Sequence, residues 1–200
     1  MLKQFRYALN WLNSDYVLIY VEAQISEVPE ISIDPGVSIR DLDHKDPDDV
    51  KLWLSIFNDA FGRRWRESQY RKRIVEDHYI DVLKTLVLSV DGEPSAVASI
   101  GAFRGNPSCA ALHYISVLSA SQGKGLGLQI AAHGCRQLAE FGHTIVENEI
   151  PAHRVHSLKM HHGLGFNVKP GPDPWNTPLR RPQAIQKRAL IRIHDRIRHW

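Results

Sequence analysis

The chain has 200 residues, 43% of them hydrophobic and 24% charged, which is ordinary for a globular protein and enough for one domain with a real core. Its 25 basic against 22 acidic side chains leave a formal charge of +3, too small an excess to argue for nucleic acid. Two cysteines, Cys109 and Cys135, exclude a disulfide scaffold, and neither lies in a CxxC pair of the zinc or redox kind.

From the N-terminus, Leu2, Phe5, Leu9 and Leu12 share one helical face, which predicts a short amphipathic helix docking on the domain. No long apolar stretch with a small-residue cleavage site follows, so a signal peptide is not expected. The apolar run Tyr16–Val21 is far shorter than the ~20 residues of a spanning helix, and Tyr16–Glu22 reads as a strand. Residues 1–35 are read as an N-terminal extension and 36–200 as the domain, with a cytoplasmic location expected and a homodimer allowed.

Residues 36–42 alternate as a strand does. Asp46-Pro47 opens a helix carrying Val50, Trp53, Leu54, Phe57 and Phe61 at helical spacing, and Gly62 closes it. A second helical stretch is predicted over Trp65–Asp81. Three strands follow, over residues 85–90, 95–103 and 110–118, joined at Asp91-Gly92 and at Gly105-Asn106-Pro107. They form an antiparallel meander. A helix over Gly125–Phe141, a strand over Thr144–Ile150, a helix over Val155–His162 and a strand from Phe166 complete the series. The tail holds a proline-rich loop over residues 170–182 and then a basic segment, of which Lys187–His194 reads as a strand or a helix. The order predicts a mixed α/β (α+β) fold, helices covering both faces of a partly antiparallel sheet.

The segment richest in chemistry runs from Val117 and Leu118 through Ser119-Ala120-Ser121 to Gln122-Gly123-Lys124-Gly125-Leu126-Gly127. A strand enters a glycine-rich loop, and the loop enters a helix N-terminus. Unpaired backbone N–H groups and the helix dipole favour a phosphate or pyrophosphate there. Glycine lets the backbone approach such a ligand, and Lys124 adds charge. The GxxxxGK[S/T] pattern of a P-loop is absent. A dinucleotide fingerprint lacks its third glycine, since Leu128 stands there, although Glu147 lies at the distance of a ribose-binding acid. That reading stays open beside a glycine turn without ligand.

Gln122-x-x-Gly125-x-Gly127 after this strand resembles the acyl-CoA pyrophosphate loop of the Gcn5-related N-acetyltransferase (GNAT) superfamily. The resemblance extends over residues 37–168 as an ordered series of elements. It includes a second motif, Ser157-Leu158-Lys159-Met160-His161-His162-Gly163-Leu164-Gly165-Phe166, similar to the family's penultimate helix and the Gly-Phe opening its sixth strand. It implies a sheet of about seven strands splayed between the fourth and fifth, counted from Gly36, with acetyl-CoA in the gap. The pantetheine would pair near Val117 and Leu118, and the pyrophosphate would sit on residues 122–127. Ser157 would lie on the cofactor side, and Arg154 would either contact a CoA phosphate or cap the surface. The family's fold needs a seventh strand beside the sixth, and residues 188–194, with solvated arginines, are the candidate for it. The amine would attack the thioester directly, so the protein supplies positioning, a base and an acid for the leaving thiolate.

The residues depart from the family's pattern at two positions. His161 stands where many members carry a thiolate-protonating Tyr, and Arg154 stands where Asn is usual. His161 is the expected acid; with an unperturbed pKa near ~6.5 it differs from a Tyr in that role. His113, four residues before Val117, matches a histidine implicated in amine deprotonation in serotonin-type N-acetyltransferases and is the expected base. Glu147 or Glu149 on the other lip is a further candidate for it.

Nine of the eleven histidines fall between His113 and His199, and His153, His156, His161 and His162 have helical spacing. With no Cys pair, acidic partner or HExxH pattern beside them, a metal site is not expected. The implied activity is acetyl transfer from acetyl-CoA to a primary amine of a small molecule such as an amino sugar, an amino acid or an antibiotic. Arg63, Arg64 and Arg66 lie near the acceptor lip. A non-catalytic acyl-CoA-binding module and a dinucleotide-binding protein are the alternatives.

Overall fold

The computed structural model describes residues 18–104, 106 and 108–169, which fall into two compact units. Among the described residues the larger unit comprises residues 23–147 and the smaller residues 18–22 with 148–169. The strands are β1 (Leu18–Gln24), β2 (Val37–Asp41), β3 (Ile80–Val90), β4 (Glu93–Phe103), β5 (Cys109–Val117), β6 (Ile145–Pro151) and β7 (Asn167–Val168). The helices are α1 (Pro47–Phe61), α2 (Glu67–Tyr70), α3 (Leu126–Glu140) and α4 (Val155–Gly163). The strands are hydrogen-bonded in the order β2-β3-β4-β5-β6-β1-β7. This is the mixed α/β fold that the element order predicts, with the seven-stranded sheet that the resemblance implies, β1 of the N-terminal segment being one of the seven.

In the larger unit β2, β3, β4 and β5 are antiparallel neighbours, and β5 pairs with β6 in parallel. Asp91 (φ 50°) and Gly92 (φ 86°) give the β3–β4 hairpin its two left-handed turn residues, as an Asp-Gly pair favours. Alternation along the strands feeds two apolar layers. Val87 and Val97 join Trp53, Ile56 and Phe57 of α1, while Leu86, Leu88, Ala96 and Ala98 join Leu126 and Ile130 of α3. Both sheet faces are therefore covered. The α1 start follows its sequence signal, with the Asp46 carboxylate accepting from Asp48 N–H at 2.9 Å and Pro47 in the first turn.

The second helical stretch is shorter than the composition of residues 65–81 predicts. It is one turn of α2 followed by a π-turn over Arg71–Val75, and β3 begins at Ile80. Asp77 causes the change: its Oδ1 accepts the backbone N–H groups of Tyr79 (2.7 Å) and Ile80 (3.0 Å), a local turn that competes with helix.

In the smaller unit β1 pairs antiparallel with β7, through Val21–Val168 and Glu22–Asn167. The strand expected over residues 16–22 of the extension is thus an inner strand of the sheet, between β6 and β7. The N-terminal segment thus lies beside β7, the sixth strand counted from Gly36; the strand expected over residues 188–194 is not among the described residues. The helix expected over residues 1–13 and the loop over residues 170–182 also lie outside the described residues. Among the described residues no helix is long and apolar enough to cross a membrane.

Candidate active site

The glycine loop leaves a run of backbone N–H groups without an acceptor among the described residues. After β5, Leu118 N–H bonds Ser95 O at 2.9 Å, and a short 3-10 turn, Ser119–Ser121, carries the chain to Gln122. The Gln122 amide donates back to Val117 O at 3.1 Å, and Ser119 N–H donates to the Asp59 carboxylate of α1 at 2.6 Å. The first tie fixes the loop on the end of β5 and the second on α1. Gly123 (φ 79°) and Gly125 (φ 76°) are left-handed, a region that a Cβ disfavours. Gly125 is the N-cap of α3 and offers no side chain, so no residue of the loop covers the helix end. Gly125 O accepts from Leu128 and Gln129 N–H, whereas the N–H groups of residues 123–127 find no acceptor among the described residues. Those groups lie at the positive end of a 15-residue helix, beside exposed Lys124.

A support under this loop carries no motif in the sequence. Gln129, only 5% exposed, donates to Asp34 Oδ2 at 2.7 Å and accepts from Asp34 N–H at 3.0 Å. This two-bond clamp ties the chain before β2 to the first turn of α3.

The strand feeding the loop is irregular where chemistry would want it. Val97 pairs with Ser116 and Ser99 with His113, so β5 spends one residue more than β4 across this stretch, a β-bulge. Tyr114 absorbs it at φ 52°, a left-handed conformation that costs a bulky residue about 1–3 kcal/mol. The bulge puts two successive side chains on one face. Ile115 packs with the α3 layer and Tyr114 with the α1 layer, and His113, opposite Ser99, has the α1-side parity of Val97. The β5–β6 ladder covers only Cys109–Ala111 with Ile145–Glu147. Beyond Ala111 that edge of β5 carries no β6 pairing.

His113 sits in this bulge without a hydrogen bond from any described residue. Its Nδ1 is fully buried and unpartnered, and its ring lies 4.3 Å from that of Tyr114. Burial lowers its pKa below the ordinary value, the charge of Asp77 partly opposing. It is a neutral imidazole at neutral pH, and a buried group left unpaired costs free energy unless a ligand or water completes it.

His161, expected as the acid, is placed quite differently. It is 2% exposed, packed edge-on against Phe166 at 4.9 Å, with both nitrogens engaged. Nδ1 lies 2.8 Å from Ser157 O, which can only accept, so this nitrogen carries the proton. Nε2 lies 2.6 Å from the Asn148 amide nitrogen and accepts from it. Burial drops the His161 pKa to about 4, the Ser157 bond partly opposing. A neutral ring whose only proton is bonded to a carbonyl has none to give a thiolate. The expectation drew on motif spacing alone, which carries no information about the second nitrogen's partner.

The sequence profile of the Acetyltransferase (GNAT) family matches residues 50–166, more than half of the chain. The chain belongs to the GNAT acetyltransferase family. No curated protein matches it. Among solved structures it is similar to a GNAT-family protein from Novosphingobium aromaticivorans DSM 12444 (TM-score 0.56, 18% identity, 76% of this chain, 59% of that one). It is also similar to a GCN5-related N-acetyltransferase from Kribbella flavida (TM-score 0.52, 15% identity, 82% and 64%). A third is the ribosomal-protein-S18-alanine N-acetyltransferase from Escherichia coli (TM-score 0.54, 21% identity, 67% and 79%). The chain thus spans less than two thirds of the length of the first two. Identities this low speak for the GNAT fold.

Within this GNAT chain the other expected residues are placed as follows. Val117, Leu118 and residues 122–127 form the strand end and loop already described. Glu147 is half-buried and pairs with Ala111 at the end of the β5–β6 ladder. Arg154 precedes α4, accepting from Leu158 N–H at 3.1 Å, and Ser157 serves His161 through its carbonyl. Among the described residues no group of three or more His, Cys, Asp or Glu is placed to hold a metal ion. Tyr114, in the bulge beside His113, and Asn148, bonded to His161, are neighbours of the expected residues that sequence reasoning did not single out. A bulge leaves no mark in a single sequence, and an Asn paired to a distant His leaves none either.

Proposed function

We propose that this GNAT chain is an acetyl-CoA-dependent N-acetyltransferase acting on a primary amine of a small molecule. The carrying observation is the open N–H array of residues 123–127, placed directly after a strand whose edge makes no β6 pairing beyond Ala111 among the described residues. The array suits the diphosphate, with Lys124 adding charge, and the free strand edge suits the amide-bearing pantetheine arm. His113 serves as base: a neutral, partner-free imidazole takes the proton from the amine as nitrogen attacks the thioester carbonyl. His161 is a positioning residue in this scheme, tying Asn148 of β6 to α4.

Calorimetry of the full chain with acetyl-CoA tests the reading. Saturable binding is expected, and no heat up to millimolar ligand would refute it. Thiol release from acetyl-CoA is then followed with phenethylamine, glucosamine and L-lysine as acceptors. A rate above the acceptor-free one identifies the amine class. His113→Ala should lower that rate far more than it changes acetyl-CoA binding.

A further inference from the structure

We propose that Tyr114 is the acid of the reaction, its hydroxyl meeting the sulfur of CoA, and that acid and base are the successive residues Tyr114 and His113 of one β-bulge. This rests on the acetyl-CoA reading above. The bulge turns both side chains to the α1 face, with their rings 4.3 Å apart. Four residues separate Tyr114 from Leu118, where the loop begins, roughly 13 Å of strand at ~3.3 Å per residue. An extended pantetheine arm laid along the free β5 edge from a diphosphate at the loop reaches about that far.

The hydroxyl has no structural employment. The Tyr114 ring is aimed by Trp53, Phe57 and Trp65, with centroids at 6.0, 5.7 and 5.6 Å, and a Phe would pack there equally well. Among the described residues the hydroxyl makes no hydrogen bond, although the residue is only half-exposed. Burial raises its pKa, with Arg73 opposing and Asp77 reinforcing, so the phenol keeps its proton across the neutral range. The expected acid, His161, has no proton to offer.

The step balances. The amine lone pair forms the C–N bond, and the nitrogen's proton passes to His113. The C–S bond breaks with its electron pair on sulfur, and Tyr114 O–H protonates that sulfur to give CoA thiol. The His113 imidazolium returns its proton to the Tyr114 oxygen, restoring both residues. The sum is amine plus acetyl-CoA to acetamide plus CoA.

The test needs no acceptor. The thiol of bound CoA is titrated by its thiolate absorbance, with the desulfo-CoA complex as blank, in wild type, Tyr114→Phe and His161→Asn. In wild type the bound thiol should titrate below free CoA. Tyr114→Phe should raise it by about one pKa unit, a tenfold change in thiolate fraction at fixed pH, with the melting temperature unchanged. His161→Asn should leave it in place. An unshifted thiol in Tyr114→Phe, or a shift in His161→Asn alone, would overturn the assignment while leaving acetyl-CoA binding intact. Failure of wild type to bind CoA at all would overturn the cofactor reading and this one with it.

Discussion

Replacing His161 by Asn separates a buried neutral imidazole from a titrating one. Asn retains an N–H near the Nδ1 position, facing Ser157 O, and loses the acceptor that Asn148 uses. Stranding one buried partner costs roughly 1–3 kcal/mol at neutral pH. The pH dependence has the opposite sense. The folded pKa of about 4 lies below the unfolded value of ~6.5, so the unfolded chain takes up the proton first as pH falls. Wild type therefore keeps its full stability above about pH 6.5 and loses it on acidification. At ~1.36 kcal/mol per pKa unit the loss is on the order of 1 kcal/mol at pH 5.5 and grows to roughly 2–3 kcal/mol at pH 4.5. The Asn variant lacks this term, so the stability gap between the two proteins closes towards pH 4.5. Urea unfolding of both from pH 7.5 to 4.5 reads the gap directly. Parallel curves would refute the neutral, doubly bonded ring and restore His161 as a group able to carry a transferable proton.

Three further outcomes follow from the same geometry. Gly125→Val puts a β-branched side chain at φ 76° on the open end of α3, and calorimetry should find acetyl-CoA affinity reduced at least tenfold. Gln129→Ala removes both bonds to Asp34 beneath the same turn; it should cost about 1–2 kcal/mol in denaturant unfolding and weaken acetyl-CoA binding more than turnover at saturation. Gly101→Ala would bring a methyl to 2.7 Å from Asp81 O and 2.5 Å from Ile80 Cγ2, so its melting temperature should fall by the equivalent of about 2 kcal/mol.

The pattern of residues by itself determined most of the framework, because each signal is local. Asp46-Pro47 with Gly62 bounds α1, Asp91-Gly92 makes the hairpin, and Gly123 to Gly127 marks an uncapped helix start after a strand. Where a local competitor intervened, the reading failed: Asp77 captures two backbone N–H groups and cuts the second helix short. What only the tertiary structure decided depends on partners far apart in the chain. A strand from the N-terminal segment lies between β6 and β7, a choice made by edge pairing that the apolar run over residues 16–21 shares with any other strand.

The histidines divide on the same principle. His113 and His161 look alike as residue types at motif positions, yet a β-bulge leaves the first without a partner, while Asn148 and the Ser157 carbonyl satisfy both nitrogens of the second. Protonation follows burial and hydrogen bonding, and these exist only once the chain has folded.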